Sequence, residues 1–343
     1  MKIKRGLAAV ALALAASLAF AQAPEKKELN VGVGADWGTG GHAVIAQHKG
    51  YFKEQGFTQV NLKFFAAGVM QVEAMASGAL DVSNPAQAPV IAMRANGMPV
   101  VVLASLSAYH DSMALAVRKT AKIKDAKQLE GLKIGLLKGT TSEQMMLDLA
   151  RQYGLDAAKI QIVNLAPPEQ LASLATGAID GICAWQPWIY QASKKAEVDI
   201  VHTGATSRFE KNAGERRRVD YTRGILAAPE RFVKSNPATV DALLRAYAQA
   251  QAFIADPKNY DEMVQIFSKH HNQDVEVNKV ILREYTSSVS LDRDYLGDMN
   301  AVQDFLASSG RLKSKVSVAS FTYGGALSRL DPKLVSIDAQ WKP

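Results

Sequence analysis

The feature that most limits how this chain can fold is a repeated alternation of short β-rich runs with longer stretches of helical spacing, beginning at Glu28. Residues 29–33 read as a strand, 41–55 as a helix and 60–65 as a strand. Residues 69–77 are helical, 79–83 a short strand, 86–96 helical and 100–106 a buried strand. Parallel neighbours in a sheet need a crossover of a dozen or more residues, usually a helix. The rhythm therefore predicts an α/β fold with mainly parallel sheets. It restarts with a crossing strand at 113–117 and a polar connector at 122–130. Strands at 132–137, 160–165, 179–184 and 198–202 then alternate with helices at 142–153, 168–176 and 187–195. A returning strand is expected at 224–227. Helices follow at 237–255, 260–270, 275–285 and 294–308, the first opened by Pro237, which suits a first helical turn.

One stretch occurs twice. Ala74-Met75-Ala76-Ser77-Gly78-Ala79-Leu80-Asp81 returns as Ser173-Leu174-Ala175-Thr176-Gly177-Ala178-Ile179-Asp180. Each copy reads as a helix end, a glycine free to take positive φ, and a short strand beginning near an Asp. Two units built alike would account for it, although Ser/Thr-Gly-Ala is also a common helix stop.

The N-terminus reads as an export signal. Lys2, Lys4 and Arg5 precede an uncharged Ala/Leu-rich run from Leu7 to Phe20, and Ala19-Phe20-Ala21 supplies a small-x-small cleavage pattern. The run is short against the ~20 residues that cross a bilayer, so residues 1–21 are expected to be a cleaved signal peptide rather than an anchor. The full chain carries 40 Lys+Arg against 33 Asp+Glu, a net +7. Without Lys2, Lys4 and Arg5 the balance is 37 against 33, a net +4, which gives no argument for a nucleic-acid partner. The composition, 48% hydrophobic and 21% charged, is that of a globular protein. Cys183 is the only cysteine; it excludes a disulfide framework or cysteine metal cluster and is expected to be a buried free thiol.

Ligands in open α/β sheets sit beyond the carboxyl ends of strands, so four strand-to-helix loops are the candidate site. The first, Gly34 to His42, offers Trp37, Gly38, Thr39, Gly40 and His42: glycines for close backbone approach and an aromatic wall. Gly32-x-Gly34 starts like a dinucleotide fingerprint, but Trp37 stands at the third glycine position, which rejects that cofactor. The second loop offers Asn84 and Gln87. In the third, Thr140, Thr141 and Ser142 begin a helix whose free N–H groups favour an anion, against a competing capping box from Thr140 to Glu143. The fourth offers Trp185 and Gln186 before Pro187-Trp188. Arg223, at the start of the returning strand, could pair with an acidic ligand or form a structural salt bridge. Arg216-Arg217-Arg218 reads as a solvated surface run.

Several of these stretches together resemble one family. Lys49-Gly50-Tyr51-Phe52 before Gly56-Phe57, Ser77 to Val82, Lys138 to Ser142 and Trp185-Gln186-Pro187-Trp188, with the exported N-terminus, look like the solute-binding proteins of ABC importers. The likeness is to the sulfonate/taurine/nitrate branch. It implies a two-lobe type II periplasmic-binding fold, with residues 22–111 and 222–343 as the first lobe and 112–221 as the second. It further implies a ligand closed between the lobes, C-terminal helices returning to the first lobe, and delivery to a membrane permease with its ATPase. The same four loops carry over, and Tyr109 joins them from the lobe crossing. Taurine-type members usually carry an acid where Gln186 stands, so the resemblance favours an amine-free anion, a sulfonate or aromatic carboxylate, with Trp37, Trp185 and Tyr109 as walls.

Enzymatic chemistry is not expected. His110-Asp111-Ser112 holds three triad residue types, but adjacent positions cannot form a relay, and no Gly-x-Ser-x-Gly elbow or His-Glu-x-x-His occurs. The expectation is a monomeric periplasmic binding protein without cofactor or metal, with crossings near Tyr109–Met113 and Asp220–Arg223 absorbing a hinge rotation. The alternatives are a binding protein that feeds a sensor or, more remotely, a periplasmic enzyme.

Overall fold

The computed structural model describes residues 22–343; the expected signal peptide, residues 1–21, lies outside them. The described strands form two sheets, ordered β11-β4-β10-β3-β1-β2 and β7-β6-β8-β5-β9. In the first half of the chain β1 (Glu28–Gly34), α1 (Trp37–His48), α2 (Tyr51–Glu54), β2 (Gln59–Phe65), α3 (Gly68–Ala76), β3 (Val82–Ser83), α4 (Gln87–Ala95) and β4 (Val100–Ala108) alternate as the spacing predicts. Next come β5 (Met113–Arg118), β6 (Lys133–Leu136), α5 (Thr141–Gln152), β7 (Gln161–Asn164), α6 (Pro167–Thr176), β8 (Gly181–Trp185), α7 (Trp188–Lys195) and β9 (Val198–Thr203). The chain then returns to the first sheet through β10 (Arg223–Pro229). It continues through α8 (Glu230–Ser235), α9 (Pro237–Ala255), α10 (Tyr260–His271), α11 (Val275–Ile281), β11 (Thr286–Ser290), α12 (Arg293–Ser308) and α13 (Gly325–Leu330).

The two sheets share one plan. In each, a central strand lies parallel to its two neighbours, β1 between β2 and β3, and β6 between β7 and β8. The repeated stretch occupies the same place in both. Gly78 and Gly177 take positive φ of 82° and 77° at the ends of α3 and α6. The aspartates that follow do identical work: Asp81 accepts the Asn30 N–H at 2.9 Å, and Asp180 accepts the Lys133 N–H at 2.8 Å. Each therefore pins an early residue of the strand between its parallel neighbours, as two units built alike would.

Three expectations need correction. The sheets are mixed rather than mainly parallel, because β10 lies antiparallel to β3 and β4, β11 to β4, and β5 to β8 and β9. β5 and β10 are the strands reached by the two crossings, where no helical crossover restricts direction, and β11 runs alongside β4 in the same sense as β10. Second, the helix expected at 275–285 stops at Ile281, and Thr286–Ser290 forms an edge strand. Its sequence TSSVS lacks the apolar alternation that marks a half-buried strand. Third, the glycine-rich stretch after β1 is a helix from Trp37 on, not a loop.

The core of the first sheet is β4, buried at all nine positions, with α9 packed across α1 through the buried Leu243, Ala246, Tyr247 and Ala250. Residues 109–112 and 204–222 carry the chain between the sheets. They run side by side, Tyr109 N–H donating to the Thr222 carbonyl at 3.0 Å. Among the described residues no helix is long and apolar enough to cross a membrane.

Candidate functional site

A cavity lies where the two sheets face each other. One wall comes from the first sheet, with Asp36, Thr39 and Tyr109 over an apolar floor of Phe65, Ala66, Ala67 and Pro89. The other comes from the second sheet, with Thr140, Thr141 and Trp185. The space measures about 30 Å³, room for the centres of about two water molecules. A guest much larger than this does not fit the space as it stands.

Helix α1 starts at this cavity because Asp36 caps it. Its backbone is extended at φ −102°, ψ 160°, and its carboxylate accepts the Thr39 N–H at 3.1 Å. The same carboxylate accepts the Thr39 hydroxyl at 2.5 Å and the Tyr109 hydroxyl at 2.5 Å. Asp36 is 6% exposed. Burial pushes its carboxyl above the usual range, and the bonds from Thr39 and Tyr109 only partly oppose this. None of the residues lining the cavity is a lysine, arginine or histidine.

Gly38 makes room for this arrangement. A Cβ there would stand 2.3 Å from the Tyr109 ring, while its carbonyl accepts the Ser107 hydroxyl at 2.8 Å. The glycines of α1 thus serve packing, contrary to the expectation of backbone facing a ligand. Gly40 likewise packs under the Gly34 carbonyl, 2.5 Å from where a Cβ would sit.

Helix α5 begins at the opposite wall. The Thr140 hydroxyl accepts the Ser142 N–H at 3.3 Å and donates to the Leu137 carbonyl at 2.6 Å. Glu143 does not close a box on Thr140. It accepts the Gly139 N–H at 2.8 Å and pairs with Arg311, on the segment after α12, at 2.6 Å. That pair neutralises the acid that would otherwise repel an anion at the helix start.

Of the residues singled out from the sequence, Thr39, Tyr109, Thr140, Thr141 and Trp185 line the cavity. The others do not. Trp37 donates its indole N–H to Ser287 at 3.0 Å and packs edge-on against Phe267, so it belongs to the core under α10. His42 lies buried beside Gln251 at 2.8 Å and stacks on Tyr247; burial lowers it to about 4, so it stays neutral. Asn84 donates to the Tyr247 hydroxyl at 2.8 Å. Gln87 bridges the second crossing, donating to the Tyr221 carbonyl at 2.6 Å and accepting the Arg223 N–H at 2.8 Å. Ser142 is buried, its carbonyl facing the Cys183 thiol at 3.4 Å. Burial raises that thiol, in keeping with a buried, unreactive cysteine.

Arg223 follows the structural alternative. Its Nε donates to Asp298 at 2.7 Å, and Arg218 reaches the other oxygen of the same carboxylate at 2.8 Å. Arg218 is thus tied down, while Arg216 and Arg217 keep to surface pairs with Asp111 and Glu215. Gln186 sits at the junction of the sheets, its amide 3.5 Å from Glu284 and its carbonyl accepting from Tyr285 at 3.3 Å. Burial pushes Glu284 up to about 7.

Sequence reasoning passed over Asp36, the 65–68 turn, Gln71, Pro89 and Thr222. Asp36-x-x-Thr39 is a helix-start pattern and was open to detection; the apolar floor carries no such signal.

The NMT1/THI5 like family profile matches residues 41–260. An Escherichia coli K12 protein provisionally described as an aliphatic sulfonates-binding protein is 24% identical over 246 residues, covering 71% of this chain and 73% of its own. The taurine-binding periplasmic protein of the same organism is 29% identical over 156 residues, 46% of this chain and 48% of its own. Among solved structures, an alkanesulfonate-binding protein of Xanthomonas axonopodis pv. citri superposes with a TM-score of 0.73 at 17% identity, covering 87% of this chain and 99% of that one. These structures share the two-sheet α/β fold. The chain belongs to the NMT1/THI5-like family.

Proposed function

We propose that the protein is the periplasmic substrate-binding component of an ABC importer and is not an enzyme. It captures a small organic anion between two lobes, residues 22–111 with 222–343 and residues 112–221, and presents it as a monomer to a membrane permease and its ATPase. One observation carries this reading: a cavity at the strand ends takes its wall from both sheets, Asp36, Thr39 and Tyr109 on one side and Thr140, Thr141 and Trp185 on the other. A guest that touches both sides ties them together, and the two adjacent crossings supply the hinge. The relatives described as sulfonate- and taurine-binding proteins support the anionic ligand and the periplasmic location.

Within the cavity, the acid group of the ligand lies at Thr140 and Thr141, where the first turn of α5 offers N–H groups and Glu143 is held by Arg311. Thr39, Tyr109 and Trp185 contact the rest of the molecule. Small-angle scattering and thermal melting with a panel of organic sulfonates and carboxylates test the reading. A ligand is expected to shrink the radius of gyration and raise Tm together. A panel that moves neither quantity defeats the clamp.

A further inference from the structure

We infer that Arg311 is a positioning residue: paired with Glu143, it latches the two lobes beside the cavity and sets how long a captured anion is held. This rests on capture between two lobes. Two ion pairs tie α12 and the segment after it to residues 112–221, Arg218 with Asp298 and Arg311 with Glu143. The first lies in the second crossing, where a hinge rotation moves the chain least. The second lies beyond the far end of α12, with about 15 Å of helix between it and Asp298, where the same rotation moves the chain most.

The far pair is built to hold. Glu143 is already fixed on its own helix, because its carboxylate accepts the Gly139 N–H at 2.8 Å and its side chain is buried. One Arg311 nitrogen then reaches both of its oxygens, at 2.7 and 2.6 Å. An acceptor placed in advance spares much of the ordering cost that makes exposed pairs weak. Between the two ties, α5 and α12 face each other across a groove of about 430 Å³ lined by Leu147, Asp148, Phe305 and Ser308, so packing there does not replace the pair. The pair also stands at an edge of the cavity. Gly139 and Arg311 line an outer groove, Thr140 lines the cavity, and Pro89 lines both. Parting the lobes to release a guest therefore breaks it.

Stopped-flow kinetics and small-angle scattering of the full protein test the latch, with whichever of ethanesulfonate, taurine, benzenesulfonate and benzoate binds most tightly as the probe. Glu143→Gln keeps an acceptor for the Gly139 N–H, and Arg311→Met keeps most of the side chain's length. Each is expected to enlarge the radius of gyration of the unliganded protein and to raise the off-rate about five- to tenfold, with a smaller change in the on-rate. The double variant is expected to match either single one, since both remove the same bond. If Arg311 serves only to neutralise Glu143, Glu143→Gln leaves the off-rate unchanged or lowers it, and the double variant behaves as the native protein. That result overturns the latch. Additive effects on the off-rate, or an unchanged radius in both single variants, overturn it as well. Binding by none of these probes counts against the capture reading, while the radius of the unliganded variants, which needs no probe, still decides whether Arg311 holds the lobes together.

Discussion

The helices that begin on either side of the cavity are started in opposite ways. Asp36 caps α1 with a charge that meets only neutral donors, and it is turned into the cavity. Thr140 caps α5 with a neutral hydroxyl, and the acid of that turn, Glu143, is paired with Arg311. Helix starts attract anions when left open. Both starts are capped, the first by a carboxylate and the second by a hydroxyl, and Arg311 neutralises the acid of the second. Two units built on the same plan thus present walls of different character to the cavity.

The largest way to break this comparison is to crowd the first wall. Gly38→Val drives a side chain into the Tyr109 ring, which lies 2.3 Å from the glycine's notional Cβ. Overpacking of this kind costs about 1–3 kcal/mol, and it also displaces Tyr109 from Asp36. Chemical denaturation should show the loss of stability, and titration the loss of binding.

An effect of similar size on stability, with less disturbance of the cavity itself, is expected at the second wall. Arg311→Ala leaves Glu143, 8% exposed in its side chain, without its cation, at a cost of about 1–3 kcal/mol. Because the pair joins the segment after α12 to α5, its loss should raise the ligand's off-rate in stopped-flow measurements. It should also return the acid's repulsion to the anion end. Unchanged binding kinetics would mean that Glu143 plays no part in the anion end.

The junction between the walls should respond to pH. Burial pushes the Asp220 carboxyl up to about 7. A folded value above the unfolded one gives stability that is complete below about pH 4 and is lost as pH rises through 7. The Tm of the native protein minus that of Asp220→Asn should therefore fall between pH 4 and 7 and level off above. Subtraction cancels the opposing trend from His42 and His271, both lowered to about 4. A flat difference would show that Asp220 is ionised without penalty.

The smallest effect separates wall from core. Trp37→Phe removes the bond to Ser287, worth about 0.5–1.5 kcal/mol, and should leave ligand affinity unaltered. A loss of affinity matching that of a Trp185 substitution would return Trp37 to the cavity.

Much of the fold was legible because the helical crossovers carry period and length together. Strands such as β4 and β6 and helices such as α9 lie where the pattern puts them. The repeated Gly-Ala-x-Asp stretch was readable as two like units. The edge strand β11 was not, since a polar strand pairs through its backbone and leaves little trace in side-chain pattern. The lining of the cavity was legible only in part. Thr140, Thr141 and Trp185 follow directly from strand ends, whereas Trp37, His42, Asn84 and Arg223 were assigned by residue type and prove to face the core or a partner. Whether a side chain on a helix points to cavity or core depends on where the helix begins, and the start of α1 at Trp37 turned that stretch away from the expected direction.

Hydrogen exchange of the full protein with and without the tightest binder of the sulfonate and carboxylate panel measures the two walls in one experiment. If the guest lies between them, amides at residues 39–40 and 141–143 gain protection together, at the same ligand concentration. Protection confined to one of these helix starts, or to neither while binding heat is observed, would contradict a site shared by the two sheets.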